Sequence, residues 1–248
     1  MRNIWTIAKR EYKLFFISPV AYAVAFLFLI VMGWFFFSGM MEAIINSAYQ
    51  SYAPTVQMVI GPMVTLFLFT LPAVTMGSLA KEQSTGTMEL LLTSPIRDGE
   101  IVVGKWLGSF LFILTLLAMT LVYPIALNFL VQPGIDQGLM VAGYLGLALM
   151  VGSLLAIGVA ISALFSNQIV VFVVNLAIIL MIWLVRSVSP AGTGSGLGYE
   201  ILQNINFIDH YIDFYRGTIS LSNLTYYFSL TGLALLLGTV FVESRRWR

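Results

Sequence analysis

A glycine-rich stretch is the first place where this sequence could do chemistry. Residues 99–105 read Gly-Glu-Ile-Val-Val-Gly-Lys, which matches the first seven positions of a phosphate-binding loop. The eighth position of such a loop is Ser or Thr, because its hydroxyl ligates magnesium. Here it is Trp106, and the preceding residues do not form the strand of a βαβ unit. We therefore expect this chain to bind no nucleotide and no other cofactor.

The single histidine is the next candidate. His210 stands beside Asp209 and Asp213, residue types that could ligate a metal ion. One histidine and two carboxylates on an exposed amphipathic helix are far more often solvated polar residues, so we expect no metal site. The chain has no cysteine, which excludes thiolate catalysis, cysteine metal sites and disulfides. No set of residues that could act together in catalysis remains, and we expect the chain not to be an enzyme.

Two asparagines lie inside long apolar stretches. Asn128 and Asn175 could line a path through a membrane, or each could hydrogen-bond to a neighbouring helix. We favour helix packing for both and keep them as possible pathway residues. Gly152, Ala156 and Ala160 form a stripe of small residues at helical spacing, which predicts a close approach between two helices.

Residues 81–106 form the most informative polar segment. It contains four of the eleven acidic residues, Glu82, Glu89, Asp98 and Glu100. Residues 87–92 predict a short helix with Leu90, Leu91 and Leu92 on it, which Ser94 and Pro95 end. Asp98 is then predicted to cap the next helix. Short helices that combine charges with an apolar ridge suit docking into a groove on another protein.

Composition defines the elements that must position these residues. The 248-residue chain is 59% hydrophobic and 9% charged, with a mean hydropathy of +0.94 and a net charge of +1. Ordinary globular domains are about 45–50% apolar and about 25% charged. These values exclude a soluble enzyme, a disordered chain and a nucleic-acid binder. They indicate an integral membrane protein.

We predict an all-α bundle of six transmembrane helices, because about 20 apolar residues are needed to cross a bilayer. The predicted spans are Val20–Phe37, Ile60–Ala80, Leu107–Val131, Leu139–Phe165, Ile169–Val185 and Leu224–Val242. The fourth and fifth are separated only by residues 166–168, which predicts a tight hairpin. Residues 1–248 are interpreted as a single transmembrane domain.

Orientation follows the distribution of Lys and Arg. Ten of the twelve basic residues lie in the N-terminal segment, in residues 81–106 and at the C-terminus. The connections that alternate with these hold only Arg186 and Arg216. We therefore place both termini and the 81–106 loop in the cytoplasm.

Two amphipathic segments lie outside the spans. In residues 1–18, Ile4, Trp5, Ala8, Tyr12, Phe15 and Phe16 share one helical face, opposite Arg2, Lys9, Arg10 and Lys13. This pattern is typical of a helix lying in the membrane interface, and it serves either as a simple anchor or as a contact for a cytoplasmic partner. In the external connection 186–223, residues 201–215 repeat apolar side chains at helical spacing and predict short helices at the outer surface.

The order and spacing of these features resemble the ABC-2 type permeases, the transmembrane subunits of type-2 ATP-binding cassette transporters. The resemblance is carried by residues 8–19, by residues 209–217 and by the loop pattern Glu82…Gly86-Thr87-Met88-Glu89-Leu90-Leu91…Ser94-Pro95…Glu100…Gly104-Lys105. It covers essentially the whole chain. Among these permeases, the chain looks most similar to the gliding-motility-associated subgroup.

The resemblance implies a half-transporter. Two six-span subunits, identical or sibling, would form the pathway, and a separate cytoplasmic ATPase would bind ATP and magnesium. The coupling residues would be Glu82, Gly86, Thr87, Glu89, Leu90, Leu91, Leu92, Ser94 and Pro95 in the loop, with Arg10 and Glu11 on the interface helix. Export is the usual direction in this family. The sequence does not identify the substrate.

Three other functions compete with this interpretation. An ion-coupled secondary carrier usually needs ionisable residues or broken helices at mid-membrane, and the predicted spans have no interior charge. A membrane-embedded enzyme would need catalytic residues at that depth, and none is evident. A structural membrane subunit of a motility or secretion assembly remains an alternative.

Overall fold

A computed structural model describes residues 2–47, 54–88, 96–132, 134–188 and 206–246. In the first half of the chain the helices are α1 (Arg2–Ile17), α2 (Pro19–Ser47), α3 (Gln57–Thr75), α4 (Ala80–Ser84) and α5 (Asp98–Thr120). In the second half they are α6 (Val122–Leu130), α7 (Gln137–Leu164), α8 (Gln168–Val188), α9 (Phe207–Tyr215) and α10 (Leu221–Arg246). The prediction of an all-helical fold is therefore confirmed for the described residues.

Within the described residues, five helical stretches are long and apolar enough to cross a membrane: Pro19–Asn46, Gln57–Ser84, Asp98–Leu130, Gln137–Leu164 and Leu221–Ser244. They make this a multi-pass membrane protein. The remaining predicted span falls on α8 (Gln168–Val188), of which the apolar part Gln168–Leu184 is described with its side chains. The count of six spans stays a prediction.

The helix limits differ from the predicted ones at several places. Helix α3 begins at Gln57 and ends at Thr75, where the prediction was Ile60–Ala80. Helix α2 continues past Phe37 to Ser47, although residues 38–47 are less apolar. The predicted third span is divided at Leu121, because Pro124 offers no backbone N–H and its ring crowds the carbonyl of Thr120. Helix α5 begins at Asp98, so the prediction of Asp98 as the cap was wrong.

The start of α5 is ordered by a side chain of its own first turn. The residue that precedes the helix is Arg97, with extended backbone angles. Its backbone N–H donates to Glu100 Oε2 at 3.3 Å, and Asn3 Nδ2 of α1 donates to the same oxygen at 3.1 Å. Glu100 thus caps α5 and joins it to the N-terminal helix.

Helix α7 lies at the centre of the bundle and packs against α3, α5, α8, α9 and α10. Glycines make this possible, because a Cβ at Gly143 would meet Ile60 and one at Gly146 would meet Phe214. The loop to α8 is short, as predicted: α7 ends at Leu164 and α8 begins at Gln168. Asn167 Oδ1 accepts the backbone N–H of Ile169 at 2.9 Å and orders the start of α8.

Candidate functional site

A buried lysine joins four parts of the chain at one end of the bundle. Lys105, on α5, is only 3% exposed. Its Nζ lies 2.7 Å from Glu11 Oε1 on α1 and 2.9 Å from Glu82 Oε1 on α4. It also donates to the carbonyl oxygen of Ser78, in the turn between α3 and α4, at 2.7 Å. We call Lys105, Glu11, Glu82 and Ser78 the Lys105 cluster.

The cluster satisfies the chemistry of a buried ammonium. Lysine has three N–H donors, and three oxygens lie within hydrogen-bond distance of Nζ. A buried charge is costly unless it is paired and hydrogen-bonded, and here two carboxylates supply the opposite charge. The ammonium of Lys105 therefore links α5 to both α1 and α4. Removal of any one charged member would leave the charge of its partners incompletely compensated.

Close backbone contact brings α1 onto α5. A Cβ at Gly104 would lie 2.7 Å from Ile7 Cβ, and one at Gly108 would lie 2.5 Å from Glu11 Cβ and 3.0 Å from the Ala8 carbonyl oxygen. Glycine four residues apart on one helix face is the arrangement that lets two helices approach closely. This contact places the Glu11 carboxylate beside Lys105.

Aromatic and hydroxyl contacts continue the same interface toward the end of α1. The ring of Phe15 stacks on Phe112 with centroids 4.6 Å apart, and Tyr12 Oη lies 3.0 Å from Thr115 Oγ1. Of the predicted apolar face of α1, Tyr12 and Phe15 contact α5, and Trp5 is 58% exposed on the protein surface. The face that packs on α5 also includes Glu11, because Lys105 compensates its charge.

A serine of the central helix holds the start of the 81–106 loop. Ser162 Oγ, on α7, accepts the backbone N–H groups of both Leu79 and Ala80 at 3.0 Å. Gln83 Nε2 donates to the carbonyl oxygen of Ala163 at 2.9 Å. Together these bonds satisfy donors at the beginning of α4 and fix it against α7.

The loop then turns at a glycine. Gly86 has φ +71°, a left-handed conformation that costs little only for glycine. Thr85 and Thr87 bond to each other across the turn through hydroxyls 2.9 Å apart. Met88 is buried against Leu79 and neighbouring apolar residues of α5, α7 and α10. The predicted coupling residues Glu89, Leu90, Leu91, Leu92, Ser94 and Pro95 lie outside the described residues.

Of the two intramembrane asparagines, Asn175 is the fully buried one. Its Nδ2 donates to Thr75 Oγ1 at 2.8 Å, and Thr75 Oγ1 donates in turn to the Leu71 carbonyl oxygen at 2.9 Å. Gly158 makes room for this pair, since a Cβ there would lie 2.6 Å from Asn175 Nδ2. Asn175 Oδ1 has no hydrogen-bond partner among the described residues.

Asn128 lies near the end of α6 and orders the connection to α7. Its Oδ1 accepts the backbone N–H of Ile135 and Nε2 of Gln137, both at 3.2 Å. Gly134 passes close to this oxygen with φ +115°. In this structure both Asn128 and Asn175 therefore make hydrogen bonds to neighbouring segments.

The stripe of small residues on α7 faces two different helices. Trp106 Nε1 of α5 donates to the carbonyl oxygen of Gly152 at 2.8 Å. Ala160 lies against α10, where a Cβ at Gly238 would be 3.3 Å from Ala160 Cα. Ala156 lies between them and is buried. The stripe thus contacts both α5 and α10 rather than one partner helix.

The histidine expected to be solvated is hydrogen-bonded instead. His210 Nδ1 lies 2.8 Å from Asn223 Oδ1 on α10, and Asn223 Nδ2 donates to Asp213 Oδ2 at 2.8 Å. The ring of His210 stacks on Tyr226 with centroids 4.0 Å apart. Within the described ranges, no three His, Asp or Glu side chains are grouped so that they could hold a metal ion.

Helix α9 is fixed at the opposite end of the bundle from the Lys105 cluster. Gln57 Nε2 donates to the Tyr215 carbonyl oxygen at 3.0 Å, and Tyr227 Oη donates to the Phe207 carbonyl oxygen at 2.9 Å. Burial raises the pKa of Tyr211, in the middle of α9, well above its usual value, so its phenol stays neutral. The helix packs mainly on α7, with further contacts to α8 and α10.

The sequence did not predict the role of Lys105, which contributed there to the phosphate-loop comparison, to the family pattern and to the count of basic residues. A lysine at the edge of an apolar stretch usually indicates only the cytoplasmic side of a membrane. No sequence pattern predicts that this lysine contacts Glu11. The spacing of Gly104 and Gly108 was visible and is typical of close helix packing. No sequence signal identified Ser162 as the acceptor for α4.

Comparison with known families completes the identification. No curated protein sequence matches the chain. The family described as "ABC-2 family transporter protein" matches residues 5–244. That range includes all but the first three residues of α1, the Lys105 cluster and every span candidate. A polytopic helical chain matched over nearly its full length by this family is a member of it, and the protein therefore belongs to the ABC-2 family of transporter proteins, as the membrane component of an ATP-binding cassette transporter.

Proposed function

We propose that this chain is the permease subunit of an ABC exporter, that it forms the translocation pathway as a dimer, and that it is driven by a separate cytoplasmic ATPase. The observation that carries the proposal is the Lys105 cluster. It joins the start of the 81–106 loop to α1 and α5 through ion pairs of 2.7 and 2.9 Å. A displacement of the loop would therefore move two helices.

The ATPase contact is assigned to the loop between Glu82 and Pro95. Glu89 would supply the charged contact, and Leu90–Leu92 the apolar one, as in other short amphipathic helices that dock into grooves. Gly86 and Thr87 would set the direction in which the chain leaves α4. Arg10 is exposed on α1 and would lie near the same partner, with Glu11 acting through Lys105.

A movement of the loop would be transmitted to the bundle because α4 is bonded to two helices at the same time. Helix α4 is hydrogen-bonded to α7 through Ser162 and ion-paired to α5 through Lys105. Closely packed helices shift as rigid bodies rather than deform. When ATP draws two ATPases together, each would push its docked loop, and the helices would change access to a cavity between two permease subunits.

The proposal includes a topology of six spans with both termini in the cytoplasm. Helix α8 would be the additional span, and α1 would lie in the inner membrane interface, with the outer helix α9 closing the external end. The membrane would be that of a bacterial or archaeal cell, and the nearest functional class the gliding-motility-associated permeases. Nucleotide and magnesium would bind only to the partner.

A pathway contact is proposed for Asn175. Its Oδ1 is buried and has no partner among the described residues, so a substrate or a second subunit could donate to it during the transport cycle. Asn128 would contribute less to such a contact, because its Oδ1 already accepts two hydrogen bonds within the chain.

The proposal is tested by reversing the charge of the loop. Glu89→Lys is expected to release the ATPase from purified membranes and to abolish ATP hydrolysis stimulated by the permease, because the docking contact would lose its acidic group. Glu243→Lys is the matched control, since Glu243 is exposed on α10 at the same predicted side of the membrane. Both variants should insert normally. Full ATPase retention and hydrolysis in Glu89→Lys would contradict the docking assignment.

A further inference from the structure

A cavity of about 1150 Å³ opens beside the Lys105 cluster, where α1 meets the beginning of α2 and the end of α3. Its lining includes Arg10, Glu82 and Thr87, which are also assigned above to ATPase coupling. Binding of a ligand in this cavity does not require the ATPase. The cavity volume exceeds the range of about 300–1,000 Å³ usual for sites of small ligands.

The lining of this cavity is divided into an apolar and a charged part. The apolar part comes from the membrane-spanning ends of α2 and α3, including Val20, Val24, Ala73 and Val74. The charged part comes from α1, α4 and α5. A cavity that is apolar toward the membrane and charged at the membrane surface matches the two ends of a lipid.

The charged part contains both signs. Arg10 and Lys81 line it, both are exposed, and neither has an ion-pair partner among the described residues. Lys105 is already paired with Glu11 and Glu82. The two free cations fit a phosphate, while the two carboxylates disfavour a ligand that is only anionic.

Two buried oxygen atoms in the same wall lack a partner. Ser78 is 8% exposed and its Oγ accepts and donates no hydrogen bond within the described residues. Glu82 Oε2 is likewise buried and without a hydrogen-bond partner, since only Oε1 contacts Lys105. An unpaired carboxylate oxygen in a partly dry site is costly, and a charge-assisted bond from an ammonium would compensate it.

We propose that this cavity binds a phospholipid whose headgroup carries both a phosphate and a primary ammonium, as in phosphatidylethanolamine. The phosphate lies against Arg10 and Lys81, and the ammonium donates to Glu82 Oε2 and Ser78 Oγ. The acyl chain follows the apolar wall between α2 and α3. The bound lipid thereby fastens the end of α1 to the start of α4.

The test compares three lipids with identical acyl chains on the purified, delipidated full-length protein, by native mass spectrometry and by the shift in thermal unfolding. Phosphatidylethanolamine is expected to bind at least about tenfold more tightly than phosphatidylcholine, which lacks ammonium N–H donors, or phosphatidylglycerol, which lacks the ammonium; tenfold corresponds to about 1.4 kcal/mol. Equal affinity for all three would overturn the ammonium site.

Variants separate the two ends of the lipid. Ser78→Ala removes only an unpartnered hydroxyl, because Lys105 bonds to the Ser78 carbonyl. It should lower the preference for phosphatidylethanolamine several-fold without a change in binding of phosphatidylcholine. Arg10→Gln should weaken the binding of all three lipids. Lys9→Gln should leave their binding unchanged, because Lys9 is on the same helix but outside the cavity. An unchanged preference in Ser78→Ala would contradict the assigned headgroup position.

The apolar wall is tested with Ala73→Phe, which places a ring in the cavity. This variant should lose binding of every phospholipid. Glycerophosphoethanolamine, the headgroup without acyl chains, should not bind measurably to the unmodified protein. Tight binding of this soluble compound, or full lipid binding by Ala73→Phe, would overturn the assignment to a lipid.

Discussion

At the scale of single residues, Lys105 is interpreted differently once its burial is known. In the sequence it completes a short likeness to a phosphate-binding loop and counts toward the positive charge of the cytoplasmic side. In the structure its ammonium is 3% exposed and surrounded by three oxygens. It is committed to internal contacts and has no free donor for a phosphate.

We expect Lys105→Met to destabilise the protein by roughly 3 kcal/mol, the lower end of the range for breaking a buried pair. The side chains of Glu11 and Glu82 keep 14% and 15% of their exposure, so solvent screens part of the loss. Unfolding of the purified protein in detergent, followed by denaturant or temperature, measures the change.

Lys9→Met is the control for this substitution, because Lys9 is exposed on α1 and outside the cluster. It should leave the free energy of unfolding within about 0.5 kcal/mol of the unmodified value, as surface substitutions usually do. Equal stability of the two variants would show that the ion pairs do not hold α1 and α4.

At the scale of elements, the contact between α1 and α5 depends on the absence of two side chains. Gly108→Ala would place a Cβ 2.5 Å from Glu11 Cβ, so α1 must move away. Overpacking of this kind costs about 1–3 kcal/mol. We expect faster hydrogen exchange throughout α1 and a lower melting temperature.

Gly232→Ala is the matched control, because the new Cβ on α10 would meet nothing within 4 Å. Alanine is the better helix former by about 1 kcal/mol, so this variant should be unchanged or slightly more stable. If Gly108→Ala also leaves exchange in α1 unchanged, the two helices do not pack as described.

The attachment of α4 to the central helix gives a second prediction at this scale. Ser162→Ala removes the acceptor shared by the N–H groups of Leu79 and Ala80. An unpaired buried donor costs about 1–3 kcal/mol. Amide hydrogen exchange of residues 79–84 should rise, with little change at the opposite end of the bundle.

Ser153→Ala tests whether loss of any buried serine on α7 has the same effect. Ser153 is fully buried, but its Oγ donates only to the Met150 carbonyl within its own helix. Exchange in residues 79–84 should stay at the unmodified rate in this variant. A rise of the same size in both would mean that α4 responds to general loosening of α7.

Much of the helical fold could be predicted from the sequence because long apolar stretches are a local property. The position of the α7–α8 hairpin followed from three polar residues between two such stretches. The helix ends were less predictable. Hydropathy falls over residues 38–47 and suggested an end, but α2 continues to Ser47 because no proline interrupts it. The division at Leu121 reflects the position of one proline in an otherwise uniform stretch.

The candidate site was less predictable because its pairs are distant in sequence. Glu11 and Lys105 are 94 residues apart, and no periodicity relates two positions on different helices. Glu82 was identified through the family resemblance, but as a contact for a partner and not for Lys105. The polar network of His210, Asn223 and Asp213 likewise depends on how α9 packs on α10.

At the scale of the whole molecule, the Lys105 cluster and α9 lie at opposite ends of the span candidates. The cluster joins α1, the turn after α3, α4 and the start of α5 on one side. Helix α9 packs near the start of α3 and of α10 on the other. A transporter driven from the cytoplasm requires the first side to face the cell interior.

The most direct measurement is the reactivity of single cysteines with an impermeant thiol reagent, since the chain has none of its own. Thr85 lies within the 81–106 loop and Thr218 lies after α9, both at exposed positions. We expect the Thr218→Cys variant to react in intact cells. The Thr85→Cys variant should react only in inside-out vesicles, and more slowly once the ATPase is bound. Labelling of position 85 in intact cells, or no protection by the ATPase, would contradict the account.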